Sequence, residues 1–126
     1  MLAVFAGSML PAARSQLRLE RTDLRHEHAR TKLVNELTGV VRRVGPARIL
    51  ACGQPNIPIA YQSVLAWNLD VKIGELYVDH GLIAQHPHPL VNMYPIRGGW
   101  KVFTSHVSSE AEAARCRGLG FLAFRF

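Results

Sequence analysis

The residues best suited to chemistry lie in two places. The first is "ACGQPN" (51–56), in which Cys52-Gly53-Gln54-Pro55-Asn56 separates a short apolar run from an apolar segment of helical length. α/β folds place ligands at such strand-to-helix turns. A phosphate-cradling turn, however, needs either three glycines or a Gly-Lys-Ser/Thr sequence, so that backbone N–H groups approach the anion. Here Gly53 stands alone, no lysine follows, and Pro55 and Pro58 each remove a donor. As a nucleotide motif the stretch fails. Gln54 and Asn56 remain as polar candidates for contact with an anion at the following helix N-terminus. The second place is "DHGLIAQHPHP" (79–89), where His86 and His88 flank Pro87 and Asp79-His80 lies upstream. An extended His-Pro-His points both rings the same way, yet the set matches no standard zinc spacing. A polar surface loop is the preferred reading, and no cofactor is expected.

Other chemistries find little. Cys52 as a nucleophile needs a neighbouring base and an electropositive setting, but it ends an apolar run. No serine occupies a Gly-x-Ser-x-Gly elbow, and no carboxylate pair is spaced for glycoside hydrolysis. Arg97, Trp100 and Tyr94 cluster around a Gly-Gly turn and form a candidate carbohydrate- or anion-binding edge.

These residues are carried by a chain of 126 residues, 48% hydrophobic and 19% charged, which suits one modest core and excludes a disordered or fibrous protein. The net charge of +6 is uneven, with +5 in residues 1–48 and +1 in residues 49–126. Residues 1–14 form an apolar N-terminal segment, "MLAVFAGSMLPAAR", and 15–126 a single α/β domain. Its uncharged first ten residues are too few to cross a bilayer, which takes about 20, and no basic n-region precedes them. A buried element, the trimmed end of a transmembrane helix and a short surface anchor all remain open. From Arg14 to Val44, Leu17, Leu24, Leu33, Leu37, Val40, Val41 and Val44 approximate one helical stripe. Gly45-Pro46 stops that helix, and Arg42 and Arg43 complement its dipole. Its arginines therefore need no nucleic acid to explain them.

Beyond the stop, Arg48–Cys52 reads as a buried strand and 59–69 as a helix with Ile59, Val64, Leu65, Trp67 and Leu69 on a broad apolar surface. "LYVD" (76–79) reads as a second, parallel strand. "LVNMYPI" and "GWKVFTSHV" form a hairpin, Ser109 and Glu112 have capping-box spacing, and "GFLAFRF" closes the chain as a strand. The expected fold is α/β: a compact mixed sheet of about four to five strands, a long N-terminal helix and two further helices. Cys52 and Cys116 are two buried thiols in a reducing compartment or one disulfide in an oxidising one.

The string "RILACGQPNIPIAYQSVLAWNLDV", with the long helix before it, the later "GGW-V" hairpin and the Cys before the last strand, resembles the C-terminal soluble region of actinobacterial polytopic membrane proteins of the dolichyl-phosphate-mannose-type glycosyltransferase class. The resemblance implies that catalysis lies in a membrane part elsewhere, so that no catalytic residue carries over. It implies an extracytoplasmic, membrane-associated domain, a Cys52–Cys116 disulfide, and as partners the rest of the membrane protein or the membrane surface, with a glycan or lipid-linked sugar as ligand. Arg14, Arg18, Arg21 and Arg25 directly after a span favour the cytoplasmic side instead, although long domains translocate regardless of flanking charge. The function expected is that of an accessory domain without its own active site. The alternative is a free-standing basic α/β module that binds an anionic ligand or nucleic acid.

Overall fold

The computed structural model describes residues 3–77 and 87–126, with side chains described from residue 14 onward. The chain divides into two compact units, residues 1–32 and 33–126.

The first unit is helix. α1 runs from Ala3 to Val44, so that the apolar N-terminal segment and the charged stretch are one element. Every residue from 14 to 32 is exposed, including Leu17, Leu19 and Leu24 at 54%, 64% and 69%. The leucine stripe expected along the whole helix is buried only further on, where the second unit supplies packing partners. A helix solvated on all sides draws little stability from within its own chain. Among the described residues no helix is long and apolar enough to cross a membrane.

In the second unit Leu37, Val40, Val41 and Val44 of α1 are buried. Gly45 ends α1 with φ 97°, a conformation open to glycine, and its N–H donates to the Val41 carbonyl at 2.9 Å. Pro46 then sits at the first position of a second helix, α2 (Pro46–Cys52). This corrects the strand expected at Arg48–Cys52. Proline's fixed φ suits a helix start, and only Ile49 and Cys52, three apart, face inward. A short apolar run has no periodicity able to separate the two elements.

The first strand is instead β1 (Gln54–Asn56). A 3-10 turn (Ile59–Tyr61) leads into α3 (Gln62–Leu69), which ends at Asp70 in the left-handed conformation. Leu65, Ala66 and Leu69 face the core, but Ile59 and Trp67, expected on the apolar surface, are 77% and 88% exposed. Of the strand expected at 76–79, Tyr77 forms a single parallel bridge to Asn56, and Val78 and Asp79 lie outside the described residues. The hairpin is β2 (Leu90–Ile96) and β3 (Gly99–Ser105), followed by α4 (Glu110–Arg115) and β4 (Phe121–Arg125). The four-stranded sheet has the order β1-β2-β3-β4, parallel only between β1 and β2. The fold is thus the expected mixed α/β type, with three helices beyond α1 among the described residues rather than two.

Strand alternation gives the sheet two unlike faces. One carries Val91, Met93, Trp100 and Val102, fully buried in one cluster with α1, α2 and α3 residues. Trp100 lies edge-on to Tyr61, with centroids 5.1 Å apart, and its indole N–H donates to the Leu33 carbonyl at 3.0 Å. Cys52 at the end of α2 and Cys116 at the end of α4 form a disulfide with a Cα–Cα distance of 4.6 Å. Beside it Arg48 Nη2 donates to the Arg117 carbonyl at 2.8 Å. Such a bond belongs to chains matured in an oxidising compartment.

Gly53 shows how closely the chain passes itself. A Cβ there would run into the carbonyl oxygen of Pro89, next to the Gln54 N–H to Pro89 carbonyl bond at 3.0 Å. Its φ of 179° is ordinary extended backbone, so the constraint is steric. Gly53→Ala is expected to cost about 1–3 kcal/mol through backbone displacement, read as a lower urea midpoint with an unchanged m-value.

The α4 start is a full capping box. Ser109 Oγ accepts from the Glu112 N–H at 3.2 Å, and the Glu112 carboxylate accepts from the Ser108 N–H (2.8 Å), the Ser108 hydroxyl (3.0 Å) and the Ser109 N–H (3.3 Å). The Ser108 backbone and hydroxyl bonds chiefly hold the Glu112 carboxyl below its ordinary value, with smaller help from Ser109 and Arg115. A carboxylate with a depressed folded-state pKa stabilises above its unfolded pKa, and that contribution is lost as pH falls through the folded value. A carboxyl-carbon NMR titration should therefore place the Glu112 midpoint below that of an unstructured glutamate, and α4 should fray only under more acidic conditions.

Candidate functional site

The second sheet face carries polar and aromatic side chains. The strand register lines up Asn56, Asn92, Phe103 and Phe121 as one row across all four strands. A neighbouring row holds Tyr94, Lys101 and Ala123. Exposure rises along the first row: Asn56 is 0% and Asn92 2% exposed, Phe103 is half-buried, and Phe121 is 64% exposed.

The buried end is an amide cluster. Asn56 Nδ2 donates to Asn92 Oδ1 at 2.8 Å and to the Tyr94 hydroxyl at 3.2 Å. Asn92 Nδ2 donates to Ser105 Oγ at 2.8 Å and to the Phe103 carbonyl at 3.4 Å. Asn56 Oδ1 is buried and accepts no hydrogen bond among the described residues. An acceptor left this way forfeits about 1–3 kcal/mol. The open end is an aromatic platform. The Tyr94 and Phe103 rings stack with centroids 6.1 Å apart and planes 24° from parallel. Lys101 Nζ sits 4.8 Å from the Phe103 centroid and 5.0 Å from that of Phe121, holding both rings by cation–π attraction.

The rows named carry amide, hydroxyl, aromatic and ammonium groups and no carboxylate, imidazole or thiol. Flat rings beside fixed amides suit a ligand with one C–H-rich face and a hydroxyl edge, as a sugar ring has.

The candidates expected from sequence are dispersed. Asn56 belongs to the amide cluster. Gln54 Nε2 is engaged with the Glu75 carbonyl at 3.0 Å. Arg97 is exposed in the hairpin turn. Trp100 is 0% exposed on the opposite face, where it serves the core; as a ligand-binding residue it is corrected. Cys52 is in the disulfide and is no nucleophile. His88 is exposed, His80 and His86 lie outside the described residues, and no group of three metal-ligating side chains occurs among the described residues. The ligand position expected at the Cys-Gly turn dissolves, because that turn joins a helix to a strand. A shallow groove of about 190 Å³ among Thr38, Val41, Arg42, Pro46 and Asn68 offers less, since Asn68 Nδ2 already donates to Thr38 Oγ1 and the Val64 carbonyl. Asn92, Phe103, Lys101, Ser105 and Phe121 were missed, although period-two reading of the three strands places them on one side. No protein family, curated protein or solved structure matches the chain.

Proposed function

We propose that this chain is an extracytoplasmic accessory domain of a membrane glycosyltransferase-like protein, without a complete active site of its own. In this reading its outer sheet face holds a glycan or the sugar of a lipid-linked donor. The observation that carries the reading is the row Asn56–Asn92–Phe103–Phe121, a buried amide cluster continued by increasingly exposed rings. The disulfide supports an oxidising setting. Helix residues 14–32, exposed on every side, suit a segment that bridges to another part of a larger protein. Mannose oligosaccharides titrated calorimetrically should give saturable heat, and Phe121→Ala, at an exposed position, should weaken binding about tenfold or more. Absence of heat up to millimolar sugar, or equal affinity in the variant, overturns the reading.

A second reading rests on Arg14, Arg18, Arg21 and Arg25, which recur every three or four residues along the exposed helix. These suit an anionic ligand or nucleic acid. Its mark is affinity that falls steeply with salt, and no binding to duplex or single-stranded probes at low salt removes it.

A further inference from the structure

β4 is the last strand of the sheet, and among the described residues no strand pairs with its outer edge. Its sequence, Phe-Leu-Ala-Phe-Arg, has no proline and no charge pointing toward the core, its ladder with β3 has no bulge, and its one charge, Arg125, stands at its end. The Phe126 N–H donates to the Gly98 carbonyl at 2.9 Å, one step beyond the Gly99–Arg125 pair. Hydrogen-bonded and non-bonded pairs alternate in an antiparallel ladder. Trp100–Phe124 and Val102–Leu122 are therefore the bonded pairs with β3, and the N–H and C=O groups of Phe121, Ala123 and Arg125 point to the free edge. The same three side chains lie on the face of the candidate site.

From this we infer that β4 pairs with β4 of a second copy, antiparallel about Ala123, to make one continuous sheet. The strand is self-complementary in that register. Ala123 faces its own copy, where a small side chain allows close approach. Phe121 faces Arg125 of the second copy, so each guanidinium meets an aromatic ring, as Lys101 already meets Phe121 within one chain. On the core side Leu122 faces Phe124, both half-buried in the single chain. All three outward residues exchange backbone bonds, Ala123 with itself and Phe121 with Arg125, so no edge donor is wasted. The pairing does not depend on the glycan reading, though it would set two aromatic platforms side by side.

Sedimentation at about 150 mM salt, enough to screen the repulsion of two +6 chains, should show a concentration-dependent dimer with a micromolar Kd, as a small interface gives. Ala123→Pro removes only an outward N–H, and should weaken the dimer about 100-fold. Phe121→Arg sets like charges opposite and should dissociate it. Adding Arg125→Phe to that variant exchanges the partners and should restore it. A wild-type chain monomeric at ~100 µM overturns the pairing, as does a dimer that survives Phe121→Arg or is not restored by the exchange. Should Ala123→Pro fail to fold by near-ultraviolet dichroism, the exchange pair decides alone.

Discussion

Replacing both Cys52 and Cys116 by alanine should lower the thermal midpoint of the domain by about 16–32 °C. The two residues are 64 apart in sequence, and closing a loop of that size removes about 4 kcal/mol of chain entropy from the unfolded state. In a domain of this size each kcal/mol moves the midpoint by about 4–8 °C. The bond joins the ends of α2 and α4, where Arg48 also donates to the Arg117 carbonyl. Both cysteines are nearly buried, at 2% and 5% exposure, so truncation also loses packing. Scanning calorimetry of the double variant against the oxidised wild type gives the comparison directly. A midpoint within a few degrees of wild type would mean that the core holds α2 and α4 without the bond.

The second large effect is expected at Trp100. Its side chain has no exposed surface, meets Tyr61 edge-on and bonds the Leu33 carbonyl, tying β3 to α1. Trp100→Ala should cost about 3–5 kcal/mol, a large fraction of the stability such a domain possesses. Trp100→Phe keeps most of the ring contact and loses the indole bond, so a loss nearer 1–2 kcal/mol is expected. Fluorescence separates the two tryptophans, because Trp67 is 88% exposed. Trp100→Phe should leave a red-shifted emission that acrylamide quenches readily, whereas Trp67→Phe should leave a blue-shifted, protected one. Equal quenching in both variants would contradict the placement of Trp100.

Most of the secondary structure was legible because strong local signals agree with the fold. Gly45-Pro46 stops α1, Arg97-Gly98 turns the hairpin, and Ser109 with Glu112 caps α4. The misreadings fall where tertiary contacts decide. "RILAC" is too short to reveal its period, and Gln-Pro-Asn has no strand propensity of its own. It pairs with β2 because Gly53 lets the chain pass against Pro89, and because the Pro55 carbonyl accepts from the Tyr77 N–H at 2.8 Å. Proline's missing donor is tolerated in so short a strand. Trp67 is expected on the apolar surface of its helix because its neighbours are apolar, but α3 turns it outward.

The candidate site was less legible for a related reason. Asn92, Tyr94, Lys101, Phe103 and Phe121 alternate with core residues in their strands, so their common side can be read from sequence. That they form one row, with Asn56 at its end, depends on strand order and register, which single strands do not encode. Trp100 and Arg97 are conspicuous residue types beside a turn. The sheet sends Trp100 to one side and leaves Arg97 in the turn.

The most direct test is amide and aromatic NMR of the labelled, oxidised domain during titration with mannose oligosaccharides. Saturable shifts are expected to concentrate on Asn56, Asn92, Tyr94, Phe103 and Phe121, with Trp100 and the α2–α4 joint unmoved. Shifts absent throughout the titration, or centred elsewhere on the chain, would contradict it.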